Sequence, residues 1–210
     1  MKRLIHSLLL AGVALTWCQA QQVIIQQGPR DFGRVRSDAE MQRDHQRWVA
    51  PQSVGTTPFM FSLATPLQVP PADWDVKGFR LSILYGECVN FDGLDIGLVG
   101  RVTGHGNGLF INGLATIIDG SSVGLQIAPV NVVDGGFAGL QIGAANYAGY
   151  LPGAEAKGWQ IGVFNGATLF KGFQLGVFNY AEAMVGVQVG VLNIIANKDI
   201  ACLPIINASF

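Results

Sequence analysis

The sequence predicts an all-β fold: an antiparallel outer-membrane-type β-barrel of about 8–10 short strands built from repeats of about 14–16 residues, with a β-solenoid as the alternative. Three observations lead there. A ten-residue phrase, Gly-apolar-Gln-apolar-Gly-apolar-X-Asn-X-X, recurs down the second half of the chain. Each copy is uncharged and alternates with the period of a strand. The chain closes on Ile206, Ala208 and Phe210, three apolar residues in alternation.

The first residues read as a leader. Lys2 and Arg3 precede an apolar stretch from Leu8 to Trp17 and small or polar residues around Ala20, the outline of a secretory signal peptide over 1–20. Bulky Trp17 before Cys18 argues against a lipoprotein site. Loss of the leader takes 13 positive and 14 negative residues to 11 and 14, a net charge of −3. That balance does not favour nucleic acid.

Residues 21–55 form a charged arm or linker. Positions 30–47 carry nine charges in eighteen residues, whereas 93–196 carry eight in all. Ser37 and Glu40 have capping-box spacing, which predicts a short helix to about Trp48 with too few apolar residues to hold a core.

From residue 56 to 210 the chain is one β-repeat domain. Across the whole sequence half the residues are hydrophobic, 13% are charged and the mean hydropathy is +0.36. No uncharged apolar run outside the leader reaches the roughly 18 residues of a membrane helix, so apolar strands must account for the greasiness. Alternation begins in WDVKGFRLSILYG, and the array starts near Val76. Looser copies follow at Gly93 and Gly108, then clear ones at Gly124, Gly139, Gly158, Gly172 and Gly186, spaced by 15, 19, 14 and 14 residues. The clear copies share Gln126, Gln141, Gln160, Gln174 and Gln188 at the third place, and Asn131, Asn146, Asn165, Asn179 and Asn193 at the eighth. Asp92-Gly93, Asp119-Gly120 and Asp134-Gly135 fit tight hairpin turns. Gly104 to Gly108 reads as a hairpin tip.

Barrel and solenoid differ in what they ask of these repeats. In GFQLGVFNYA both faces of an unbroken strand are largely apolar, and ten residues tilted at about 45° span roughly 23 Å, near the apolar band of an outer-membrane barrel. Against that, identical Asn residues at one place are what parallel stacked coils use as a ladder. A corner at the middle glycine would turn both Gln and Asn inward. Ile206, Ala208 and Phe210 resemble the signal read by the barrel-insertion machinery, from which Pro204 departs, and they favour the barrel. Its lumen would be closed by Phe, Tyr and Gln side chains, without a pore.

The GLQIG…N repeats, the WDVKGFRLSILYG and GLDIGLVGRV lead-in and the PIINASF ending resemble an uncharacterised family of bacterial surface repeat-containing proteins, over roughly residues 66–210. The resemblance implies export and a place at the outer membrane or cell surface, and it assigns no reaction.

Chemistry-bearing motifs are few. His45 and His105 lie far apart, His6 belongs to the leader, and no metalloprotease, nucleophile-elbow or phosphate-loop pattern occurs. Asp92 and Asp95 sit three apart and read as solvated turn residues, and single aspartates per turn do not make a calcium loop. Cys88 and Cys202 would remain after export, as a bridge or as two separate thiols; an enzyme built on Cys88 is the least favoured reading. The expectation is therefore a structural or surface protein that is not an enzyme. It has no catalytic, cofactor or metal residues, and its partners are outer-membrane lipid and the insertion machinery. The solenoid alternative is a secreted binding module for a surface partner, with Trp159, Phe164, Phe178 and Tyr180 exposed.

Overall fold

Equivalent residues of successive repeats lie side by side. Gly139 pairs with Gly158, Gln141 with Gln160, and Asn146 with Asn165, all between parallel strands. In an antiparallel pair the residue numbers of partners rise on one strand and fall on the other, so a whole phrase cannot align with its own copy. The computed structural model, which describes residues 49–210, is accordingly a parallel β-solenoid of about nine turns, and the antiparallel barrel is overturned. The expected leader and most of the expected charged arm, including the short helix predicted there, fall outside the described residues.

Thirteen strands make up the solenoid. They are β1 (Gly55–Ala64), β2 (Leu67–Val69), β3 (Trp74–Cys88), β4 (Phe91–Val102), β5 (Gly106–Ile118), β6 (Ser122–Ile127), β7 (Val130–Val133), β8 (Phe137–Ile142), β9 (Ala145–Ala148), β10 (Glu155–Ile161), β11 (Phe164–Leu175), β12 (Phe178–Ile195) and β13 (Cys202–Ser209). Among the described residues, antiparallel pairing occurs only at the two ends, β1 with β2 and β12 with β13. Prolines 66, 70 and 71 border β2 and Pro204 lies within β13, which blunts both free edges against further pairing.

Each coil has two sides. The phrase is not one straight strand of ten residues, because it bends at its middle glycine; β8 ends at Ile142 and β9 begins at Ala145, with Gly143 between them, and in the last copy Gly190 breaks the register within β12. A Cβ on Gly143 would collide with the carbonyl oxygen of Ala128 in the preceding coil. The bend changes the parity of the alternation, so Gln and Asn, which an unbroken strand would send to opposite faces, both point inward.

The same stacking explains the first glycine of the phrase. Gly139 has φ +147° and Gly158 has φ +116°, a region that side-chain-bearing residues rarely enter. A Cβ on either would strike the carbonyl oxygen of the equivalent glycine one coil earlier.

Asp92-Gly93 lies inside β4 rather than in a hairpin turn, and Asp119-Gly120 and Asp134-Gly135 form corners between parallel coils. Gly104 and His105 are another such corner, and Gly106 and Gly108 belong to β5. The nineteen-residue spacing from Gly139 to Gly158 is absorbed by the excursion at 149–154, and the register resumes unchanged beyond it.

Between the two sides lies a thin core in which volumes trade off. Phe137 and Phe170 are buried where Ala148, Ala156, Ala167 and Ala181 are small. Gly106 leaves room for Phe110 and Ile118, both of which a Cβ would crowd. Phe91 and Phe110 meet at 5.2 Å between ring centroids.

Candidate functional site

Two buried amide ladders run along the solenoid. Gln141 donates to Gln126, Gln160 to Gln141, Gln174 to Gln160 and Gln188 to Gln174, at 2.6–2.9 Å. The asparagines run the other way: Asn131 donates to Asn146, Asn146 to Asn165, Asn165 to Asn179 and Asn179 to Asn193, at 2.8–2.9 Å. Each ladder ends on an acceptor with no donor, Gln188 Oε1 in one and Asn131 Oδ1 in the other. The columns are therefore interior hydrogen-bonding struts and offer no surface to a ligand.

In the first coils the glutamine column carries different chemistry. Arg80 pairs with Asp95, Asp95 with Phe110, and Phe110 with Gln126 in register, so Arg80 and Asp95 stand where later repeats have Gln. Their ion pair is fully buried, with Nε to Oδ1 at 2.7 Å and Nη2 to Oδ2 at 2.9 Å. Arg80 also donates to the Arg101 carbonyl and to Cys88 Sγ, and Asn112 donates to Asp95 Oδ2. Phe91 lies 4.9 Å from the guanidinium. Burial alone would lower the pKa of Arg80, but the interactions with Cys88 and Asp95 more than offset it, and the guanidinium stays charged. Burial pushes the Cys88 thiol up to about 11, with Arg80 opposing the shift, so at neutral pH it is an unreactive thiol. Cys88 is buried, Cys202 is exposed, and both are free. Reading Asp95 beside its near neighbour Asp92 hides its partner Arg80; aligning GFRLS and GLDIG on the repeat puts both charges in the glutamine column.

Asp92 and Asp95 do not converge, since Asp92 is exposed and Asp95 is buried. A groove of about 340 Å³ beside Asp92 is lined by Asp75, Lys77, Asn90, His105 and Asn107 among others. Much of its polar wall is already engaged. Asp75 accepts from the backbone and side chain of Asn90, Asn90 accepts from His105 N, and His105 Nδ1 accepts from Ser121 N. Ser121 Oγ in turn accepts from Gly136 N. This chain of contacts seals one corner of successive coils; His45 lies outside the described residues, and no cluster of metal-ligating side chains occurs among them.

The outer surface is more informative. On the first side of the coil, one outward column passes from Phe79 through Leu94, Leu125 and Trp159 to Val187, and every rung is Leu, Phe, Trp or Val. A second column, from Leu81 through Ile96, Ile127 and Ile161 to Val189, holds only Leu, Ile or Val. Phe59 and Phe61 extend both at one end, and Ala208 and Ile206 at the other. Ten neighbouring strands at about 4.8 Å make a strip about 43 Å long. Beyond the glycine bend, Leu98, Leu114, Val163, Val177 and Val191 protrude at the corner, and Val130, Phe164 and Phe178 follow on the second side. Phe164 and Phe178 stack at 5.1 Å, and Trp159 is 56% exposed. Tyr180 is half-buried.

Among the described residues, exposed charge is confined to the opposite corner and its flanks. There Arg101 meets Asp119 at 2.9 Å, and Glu155 meets Lys171 at 3.0 Å and Lys157 at 3.5 Å. The lysine contacts hold the Glu155 carboxyl below its usual range, the hydrogen bond from Lys171 foremost. Seen in section, the solenoid carries its exposed charges along one edge, among Val123, Leu169 and Val185, and an uncharged apolar surface along the other. No helix among the described residues is long and apolar enough to cross a membrane. A search of protein-family models, curated proteins and solved structures finds no match to this chain.

Proposed function

We propose that this chain is an exported, surface-located β-solenoid that acts by binding, with no reaction of its own, and that it docks through its apolar edge and the faces beside it. The observation that carries this reading is the uninterrupted apolar character of the two outward columns on the first side. A solvated face would be expected to alternate with polar residues, and scattered apolar residues would need no explanation, but a contiguous strip of this length marks an interaction surface. The leader-like first twenty residues and the resemblance to bacterial surface repeat proteins support export and a surface location. Carboxylates that lie apart on β4, one exposed and one paired with Arg80, support binding over catalysis.

Cell fractionation tests the reading. The mature chain should be found in the envelope fraction and be reached by an impermeant label on intact cells. The double variant Ile111→Glu, Ile127→Glu, on the exposed strip, should shift it to the soluble fraction while its far-ultraviolet dichroism remains that of a β protein. A wild-type chain recovered from the cytoplasm, or an envelope-bound double variant, would overturn the proposal.

A further inference from the structure

We infer that the occupant of the apolar edge is the acyl layer of a lipid membrane, with the solenoid axis lying along the membrane plane; this rests on the binding role just proposed and names its partner. Three features of the edge point to a fluid apolar medium. The apolar surface wraps around a convex corner, from Ile111 and Ile127 on one side, over Val163 and Val177, to Phe164 and Phe178 on the other. The two sides face away from each other. One flat strip, about 43 Å by roughly 10 Å, comes to about 430 Å², below the roughly 800 Å² per partner of a stable protein interface. A second copy laid on one side would leave the corner and the other side bare, whereas acyl chains cover all three.

The second feature is the backbone. A turn facing water leaves N–H groups to solvent, but a turn in hydrocarbon must satisfy them within the protein. At three successive corners, residues 143–145, 162–164 and 176–178 donate every backbone N–H to a carbonyl of a neighbouring coil. The asparagine ladder ties down carbonyls next to the same corners, with Asn146 donating to Ile161 O, Asn165 to Leu175 O and Asn179 to Val189 O. The polar corner also bonds coil to coil, as from Gly120 N to Gly104 O and Gly135 N to Gly120 O, but it differs in giving the N–H groups of Asn90, His105, Ser121 and Gly136 to the side chains of Asp75, Asn90, His105 and Ser121.

The third feature is the boundary. Tyr147 and Tyr180 share a column on the second side, between the apolar corner and the polar one, and the same column carries Glu87 and Arg101 in the first coils. The Tyr147 hydroxyl lies 3.4 Å from Thr168 Oγ1, toward the polar corner. Burial raises both phenol pKa values above the usual range. An amphipathic ring between apolar and wet surroundings is the residue found at membrane interfaces. The two apolar columns of the first side reach back about 7 Å from the corner and the one of the second side less, within the roughly 5–10 Å to which interfacial elements sink.

The test is flotation of the purified full chain with phosphatidylethanolamine–phosphatidylglycerol vesicles, free of any other protein. The wild type should float with the vesicles. The corner variant Val163→Lys, Val177→Lys should partition at least tenfold more weakly. The variant Asn107→Lys, Val123→Lys, with both lysines in the column that already holds Lys157 and Lys171, should float as the wild type does. Because both pairs are at exposed or turn positions, circular dichroism should show the same fold in all three. A wild-type chain that stays with isolated envelopes yet ignores vesicles would overturn the lipid assignment in favour of a protein partner, and leave the binding role standing. Loss from both would overturn the two together. A stable dimer in sedimentation that the corner variant dissociates would assign the edge to a second copy and likewise overturn the inference.

Discussion

At the scale of the residue, the repeat glycine is the least replaceable position, for a reason its neighbours supply. Gly139→Ala would put a methyl group into the Gly124 carbonyl oxygen and hold a side-chain-bearing residue at φ +147°. Backbone strain of this kind costs about 1–3 kcal/mol before the collision is counted. Gly153 also has a positive φ, +77°, but nothing lies within 4 Å of a Cβ there. Gly153→Ala should therefore cost only about 1 kcal/mol, and chemical denaturation should rank the two variants in that order. Cys88 supplies a pH dependence whose sign follows from burial. Its pKa is about 11 in the folded protein against an ordinary 9.0, so the unfolded chain releases the proton first as pH rises. The contribution is fully present below pH 9 and is lost as pH climbs through 11. The loss should be on the order of 2 kcal/mol, and in Cys88→Ala the melting temperature should lose that component of its fall between these two pH values.

At the scale of the element, the strands are interchangeable in most of the array and distinct at its start. A chain whose columns repeat could slip by one coil and still match Gly to Gly, Gln to Gln and Asn to Asn. Arg80 on β3 and Asp95 on β4 remove that freedom, because only one pairing of coils joins the two charges. Gly100 makes the space for them; a Cβ there would meet both Asp95 Oδ2 and Arg80 Nη2. Arg80→Met should destabilise the fold by about 3–5 kcal/mol, since it strands a buried carboxylate. Arg80→Met with Asp95→Leu should recover most of that loss while admitting slipped registers, visible as doubled amide resonances for β3 and β4. Full stability loss in the double variant, or a single set of resonances, would assign the pair no role in register.

At the scale of the whole molecule, stability is a sum of similar coils and the interfaces between them. Removing residues 172–185 takes out fourteen, one full turn, and brings Gly186 into the place of Gly172 beside Gly158. That chain should fold, keep its β dichroism and lose roughly 5–10 °C in Tm for the missing interface. Removing only 172–178 breaks the two-sided turn and should leave no cooperative transition. If both deletions fold alike, coil-by-coil stacking is not what holds the molecule.

Much of this architecture is legible in the sequence. The recurrence located the strands near Gly78, Gly93, Gly108, Gly124 and onward, and the Gln and Asn columns were recognisable as ladders once a corner at the middle glycine was allowed. Taken as one straight strand, the phrase has a length and two apolar faces that suit a bilayer, and on that footing the barrel is expected. Alternation within a single strand is the same whether its neighbours run parallel or antiparallel, because it records only local backbone geometry. Direction of pairing is a long-range property, and only the stacked coils show it. The buried pair of Arg80 and Asp95 was hidden for a related reason: charges fifteen residues apart become partners only when the coil closes between them. Residue order sets the repeat, its glycines and the poverty of charge, whereas the gathering of the exposed charges along one edge and of the apolar columns along the other comes only from stacking, because an edge exists only after successive turns have been laid in register.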